Sequence, residues 1–145
     1  MELKLSSLEE TRNLALRIAQ ALEPQDVIVF DGDLGAGKTT LIQGIIHGLG
    51  FKGRVQSPSF SLVRTYLLDL EVKHVDLYRL SSESIDDLHL EEIFNPLGVM
   101  LIEWGGKAEY LPGRISKVKI RIPSNKNHPD NRIITIHGFL ERRLV

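Results

Sequence analysis

The 145 residues contain no cysteine. Neither a disulfide framework nor a thiolate metal site can therefore be built, although lack of cysteine does not by itself place a chain in a reducing compartment. No apolar run reaches membrane-spanning length, and the opening MELKLSSLEE lacks the charged-then-apolar pattern of an export leader. A cytoplasmic protein without membrane contact is expected. The five histidines show neither H-E-x-x-H nor another zinc-like spacing, which disfavours a zinc enzyme. A G-x-S-x-G elbow is also missing, and with it the local geometry of a Ser-His-Asp hydrolase. The guanine-reading stretch Asn-Lys-x-Asp is not met: Asn125-Lys126-Asn127-His128 has histidine where the carboxylate is needed.

What is present is concentrated between residues 27 and 49. Val27 to Phe30 form a short β-branched apolar run, the pattern of a buried strand, and Leu41, Ile42, Ile45, Ile46 and Leu49 recur at helical spacing. Between them Gly32-Asp33-Leu34-Gly35-Ala36-Gly37-Lys38-Thr39 satisfies G-x-x-x-x-G-K-[ST] at every defined position. Phosphate binding explains those residue types. Glycines let the backbone turn sharply and approach an anion without an intervening Cβ. The following helix aims unpaired N–H groups and its positive end at the same anion. Lys38 supplies a point charge for β/γ oxygens, and the Thr39 hydroxyl is placed to ligate Mg²⁺. Gly35, Ala36, Gly37, Lys38, Thr39 and Thr40 are the expected cradle for a nucleotide, and without a guanine motif that nucleotide is ATP.

Length allows one domain, residues 1–145, burying about two-thirds of its unfolded surface. Residues 6–22 open with Ser6 or Ser7 three residues before Glu9 or Glu10, a capping-box pattern, and set Leu8, Thr11, Leu14, Ala15, Ile18, Ala19 and Leu22 on one helical face. That helix covers the sheet, with its capped end a candidate neighbour of the nucleotide. After Gly48, Gly50 and Gly53, a Ser/Pro loop leads to a strand holding Val63, Thr65, Tyr66 and Leu67. In nucleotide switches a hydroxyl on such a loop meets the γ-phosphate, which makes Ser59 a candidate beside the plain reading of a Ser-Pro turn.

Val72 to Leu80 alternates as a half-buried strand, so that His74, Asp76 and Tyr78 share one face. Residues 81–94 read as a helix with a solvated acidic face. Val99-Met100-Leu101-Ile102 runs into Glu103, the shape of a buried parallel strand that delivers an acid to the carboxyl edge of a sheet. On pattern Glu103 is the better second nucleotide motif, because Lys73 and His74 interrupt the run before Asp76. Trp104, the only tryptophan, is either core or a wall that excludes water or stacks a base. Two last strands, 118–122 and 132–136, suggest a hairpin at one sheet edge. The expected fold is α/β: a single P-loop NTPase-like domain whose mostly parallel central sheet is flanked by helices, with an antiparallel hairpin near the C-terminus. Residues 107–145 hold 9 Lys/Arg against 3 Asp/Glu, a basic segment that could meet nucleic acid or an acidic protein face, but Lys117, Lys119 and Arg121 alternate with Val118, Ile120 and Ile122 as a solvated strand face does, which is the favoured reading.

Taken in order, Gly32 to Thr40, Ser57-Pro58-Ser59-Phe60-Ser61-Leu62-Val63, His74-Val75-Asp76-Leu77-Tyr78-Arg79 and Leu101-Ile102-Glu103-Trp104 resemble the successive signatures of the bacterial TsaE family, the small P-loop ATPase of tRNA threonylcarbamoyladenosine biosynthesis. The resemblance runs from the first helix through Trp104. Ser59 stands where the family usually has threonine, and His89 where it commonly has glycine. The resemblance implies an ATPase that uses ATP and Mg²⁺. It implies association with the two sugar-kinase-like subunits that transfer threonylcarbamoyl to tRNA, a complex reset by hydrolysis, any tRNA contact being indirect. Lys38 and backbone N–H groups of residues 35–40 then hold the phosphates, Thr39 and Glu103 the Mg²⁺, and Asp76 orients water, with Ser59 and Trp104 beside the nucleotide. Glu103 and Asp76 are interchangeable at this level. Hydrolysis is expected to be slow, since the nearest arginine, Arg79, is turned away from Asp76 by strand alternation. Two other readings share the motifs: a nucleotide-dependent interaction switch without productive hydrolysis, and a small-molecule kinase, for which no acceptor pocket or basic lid is recognisable.

Overall fold

The computed structural model describes residues 1–33, 35–56, 58, 62–78, 80, 84, 88–104, 110–124 and 127–145. Apolar alternation and β-branched runs among them build one seven-stranded sheet. In spatial order it runs β1 (Glu2–Leu5), β7 (Arg132–Gly138), β6 (Arg114–Arg121), β2 (Asp26–Gly32), β5 (Val99–Glu103), β4 (Glu71–Asp76) and β3 (Val63–Leu67). The four inner strands β6, β2, β5 and β4 are parallel, while β3, β7 and β1 pair antiparallel at the two sides. The expected hairpin is β6–β7, but it does not form the edge. β1 lies outside it, with Leu3 opposite Ile134, a strand too short to carry a sequence signal.

Four helices are described: α1 (Leu8–Ala21), α2 (Lys38–Gly48), α3 (Leu90–Ile93) and α4 (Phe139–Arg143). None is long and apolar enough to cross a membrane. Ser7 caps α1 by accepting from the Glu10 N–H at 3.1 Å, and the Glu10 carboxylate accepts from the Ser6 N–H at 2.6 Å. The helix buries Thr11, Leu14, Ala15, Ile18 and Ala19 as its spacing requires, whereas Leu8, in its first turn, stays 51% exposed. α1, α2 and α4 cover one face of the sheet through Ile28, Phe30, Leu101, Val118 and Ile136. Full burial of each such side chain contributes about 1.5–3 kcal/mol. The other face packs Val27, Val75, Met100 and Ile102 under Leu77 and Leu90. Beyond that cover, Lys117, Lys119 and Arg121 on β6 point to solvent, as their alternation suggested.

The strand read over 72–80 ends earlier. The Asp76 carboxylate accepts from the Tyr78 N–H at 3.0 Å, an Asx-type turn that ends the strand at Asp76, with Tyr78 beyond it lining the same cavity as Asp76. Of the helix read over 81–94, the turn Leu90–Ile93 is described, and residues 81–83 and 85–87 lie outside the described residues. His89 precedes this turn at φ +50°, a left-handed conformation that glycine adopts without cost.

α1 and α2 meet through small residues. A Cβ on Gly44 would stand 2.6 Å from the Ala15 Cβ, and one on Gly48 would stand 2.8 Å from the Ala19 Cβ. Gly44→Ala should therefore lower stability by about 1–3 kcal/mol in urea unfolding despite the better helix propensity of alanine. Adding Ala15→Gly should recover part of that loss, a non-additivity that unrelated sites would not give.

The hydrogen bond from the Lys73 ammonium, helped by Asn95 and opposed by burial, holds Glu71 below the usual glutamate range. A folded-state pKa below the unfolded one gives stability above the unfolded value that is lost as pH falls through the folded one. Glu71→Gln should cost about 0.5 kcal/mol at neutral pH for this partly screened pair. Thermal midpoints of variant and wild type should converge in strong acid.

Candidate functional site

β2 delivers the phosphate-loop sequence to the carboxyl edge of the sheet. Its first glycine serves packing: a Cβ on Gly32 would stand 2.6 Å from the Ile120 carbonyl oxygen of β6. Gly35 and Gly37 take φ of +80° and +107°, and neither has an atom within 3.7 Å of where a Cβ would be. The cradle they form is open. Gly37 is the N-cap of α2 and brings no side chain, so the N–H groups of Lys38, Thr39 and Thr40 leave the helix without a side-chain cap. Leu34 lies outside the described residues.

The parallel register does the rest. Phe30 of β2 lies opposite Glu103 of β5, and Glu103 lies opposite Asp76 of β4. Both carboxylates thus reach a cavity of about 380 Å³ that is also lined by Gly35, Gly37, Lys38, Thr39, Thr40, Tyr78 and Trp104. Of the residues singled out in the sequence, Ala36 is buried beside this cavity and Ser59 lies outside the described residues.

Lys38 is buried, and its ammonium donates to the Gly32 carbonyl oxygen. It also stands 3.4 Å from the centre of the Trp104 ring, a cation–π contact. Burial holds its pKa below the usual lysine range, against the opposing pull of Glu103, Asp31, Asp76 and Asp33. Trp104 takes φ +63° immediately after β5, and its N–H donates to the Phe30 carbonyl oxygen at 3.0 Å. A left-handed tryptophan costs about 1–2 kcal/mol, and the turn sets its ring over the lysine. The Tyr78 ring follows at 4.9 Å from that of Trp104.

Two residues escaped the sequence reading. Arg132 donates from Nε to the Ala36 carbonyl oxygen at 2.8 Å and from Nη1 to Pro129 O and Asn131 O, pinning the phosphate loop to the turn before β7. A lone arginine at a strand start carries no motif that would have found it. His74 is 3% exposed and bonds through Nε2 to Glu103 Oε2 at 2.8 Å. Its alternation with Asp76 was legible, although it was read as an interruption of the strand. Behind the cradle, a smaller pocket of about 130 Å³ is lined by Leu8, Thr11, Ile120, Asp130 and Arg132 and shares Gly35, Gly37 and Thr40 with the first.

Among the described residues, no group of three or more His, Asp or Glu could hold a metal unaided. Thr39 and the Glu103 carboxylate, with Asp76 alongside, are hard oxygen donors. That set suits Mg²⁺, which takes one or two carboxylates and completes its shell from phosphates and water.

A family model described as "Threonylcarbamoyl adenosine biosynthesis protein TsaE" matches residues 5–134. The tRNA threonylcarbamoyladenosine biosynthesis protein TsaE of Bacillus subtilis is 38% identical over 128 residues, which cover 88% of this chain and 78% of that protein. Its namesake in Streptomyces coelicolor is 37% identical over 137 residues, 90% of this chain and 92% of the other. The crystal structure of Bacillus subtilis YdiB matches with a TM-score of 0.79 and 32% identity, over 99% of this chain and 88% of that one. The span that matches the family model holds the cradle, both carboxylates, Trp104 and Arg132, and the chain belongs to the TsaE family.

Proposed function

We propose that the chain binds Mg-ATP and hydrolyses it slowly to ADP and phosphate, and that this supports assembly or turnover of the complex forming threonylcarbamoyladenosine in tRNA. The observation that carries the reading is the meeting, at one cavity, of an uncapped helix N-terminus, Lys38, and carboxylates from two adjacent parallel strands, in a chain of the TsaE family.

Phosphoryl transfer to water depends chiefly on positioning and charge neutralisation. The N–H groups of residues 35–40 bind the phosphates, and Lys38 exchanges the Trp104 face for the β/γ oxygens. The Thr39 hydroxyl and Glu103 hold the metal. Asp76, with one oxygen already occupied by the Tyr78 N–H, orients the attacking water through the other. Bound Mg²⁺ supplies neutralisation of the charge developing on the phosphates. The base is assigned to the smaller pocket between Leu8, Thr11 and Ile120, with Asp130 and Arg132 as its polar groups.

Among the described residues lining the phosphate cavity, Lys38 is the only cation. None of those described lining residues is an arginine that could neutralise the transition state, and Arg79 lies outside the described residues, so slow turnover is expected of the isolated chain. Family membership supports partners that accelerate it, the sugar-kinase-like subunits of threonylcarbamoyl transfer, with tRNA contacted through them.

Multiple-turnover ATP hydrolysis, with and without those subunits and tRNA, tests the reading. Stimulation by the partners is expected, with Lys38→Ala lowering ATP affinity by about 30-fold or more and Glu103→Ala lowering stimulated turnover by about 100-fold. ATP-dependent partner binding with flat hydrolysis would replace the ATPase with a nucleotide-dependent switch. Binding itself is readable at Trp104. Mg-ATP should change the emission of this single tryptophan as Lys38 leaves the ring, and Lys38→Ala should show no comparable ATP-dependent change.

A further inference from the structure

We infer that His74 is a positioning residue for Glu103: it holds one carboxylate oxygen so that the other stays turned toward the metal and the phosphates. The inference rests on the role given to Glu103 above.

A carboxylate only accepts hydrogen bonds, so the bond between His74 Nε2 and Glu103 Oε2, 2.8 Å long, puts the imidazole proton on Nε2. Both side chains are buried, with 4% and 8% of their surface accessible. Among the described residues His74 is the sole hydrogen-bond partner of the Glu103 carboxylate, whose second oxygen is thereby left unclaimed. The contact follows from the sheet. His74 is two residues before Asp76 on β4, on the same face, and Asp76 is the register partner of Glu103 on parallel β5.

Packing alone does not explain a histidine here. Its Nδ1 is buried without a partner among the described residues, a cost that an apolar side chain would not carry. The charge arrangement suggests what offsets that cost. Lys38 is drawn toward Glu103 electrostatically yet bonds to the Gly32 carbonyl and rests on Trp104. An untethered Glu103 could swing into an ion pair with that ammonium, and metal ligand and phosphate ligand would then neutralise each other. A partner behind a ligating group fixes its orientation, and losing such a partner typically costs 10- to 100-fold in metal affinity.

The test compares His74→Gln with His74→Met, two side chains of nearly equal length and volume of which only the first can donate to Oε2. The probe is Mn²⁺ titrated into protein saturated with a non-hydrolysable ATP analogue, with free metal read by electron paramagnetic resonance. His74→Met should need about tenfold more metal for half-saturation, at unchanged metal-free nucleotide affinity and with a retained thermal midpoint. His74→Gln should remain within about threefold of wild type. If the methionine variant does not fold, His74→Phe takes its place. Glu103→Gln separates the two readings. If it impairs metal binding while the apolar His74 variant binds as wild type does, or if glutamine at 74 is as poor as methionine, the positioning role is overturned and Glu103 keeps its place. If Glu103→Gln itself binds metal normally, the assignment of Glu103 falls and this inference falls with it.

Discussion

Neighbouring strands of a parallel ladder finish on the same side of the sheet, and the register between β2, β5 and β4 sets Phe30, Glu103 and Asp76 side by side. Everything chemical in this chain depends on that alignment. A shift of one residue in β5 would turn Glu103 to the opposite face and bring Ile102 or Trp104 in its place. The alternation of apolar residues guards against such a slip, because Leu101 packs under α1 and α2 while Met100 and Ile102 pack on the other side. The core thus specifies the acid's position without touching the acid.

Around that edge, charges are kept apart as carefully as they are brought together. One lysine, three carboxylates (Asp33, Asp76 and Glu103) and a helix N-terminus share a small volume, where opposite charges would readily collapse into pairs. Instead the Lys38 ammonium rests on a carbonyl oxygen and an indole face, Asp76 is turned by a backbone N–H, and Glu103 is bonded to a histidine. Among the described residues neither Asp76 nor Glu103 is ion-paired with Lys38, and each of these groups is held by a different contact. The left-handed backbone of Trp104 belongs to the same arrangement, as strain tolerated where it sets a ring over a charge.

Much of this was legible in the residues. The phosphate loop between an apolar strand and an apolar-periodic helix, the run ending in Glu103 and the basic alternation of β6 all carry short-range signals, and the structure bears each of them out. The family resemblance, carried by four motifs in order, is borne out by the match over residues 5–134. Less legible were features set by distant partners. β1 exists because β7 offers an unpaired edge, Arg132 matters because the turn before β7 lies beside Ala36, and His74 looked like a flaw in a strand until Glu103 was seen against it. The strand read through Tyr78 was drawn too long for the opposite reason. A local Asx-type turn overrode a longer alternation that pattern alone would extend. His89, where the family commonly has glycine, proves to occupy a backbone conformation that favours glycine.

The glycines in α2 bear on how the cradle comes to exist. With Gly44 and Gly48 in its second half and Thr39, Thr40, Ile42, Ile45 and Ile46 among the rest, this helix is a poor one in isolation, by about 1 kcal/mol for each glycine alone. It holds together because the small residues let α1 lie almost against its backbone. The phosphate loop is therefore not carried by a helix that would be stable alone. The helix behind it is held by the packing of α1, so the shape of the loop is tied to how the N-terminal helix sits against α2.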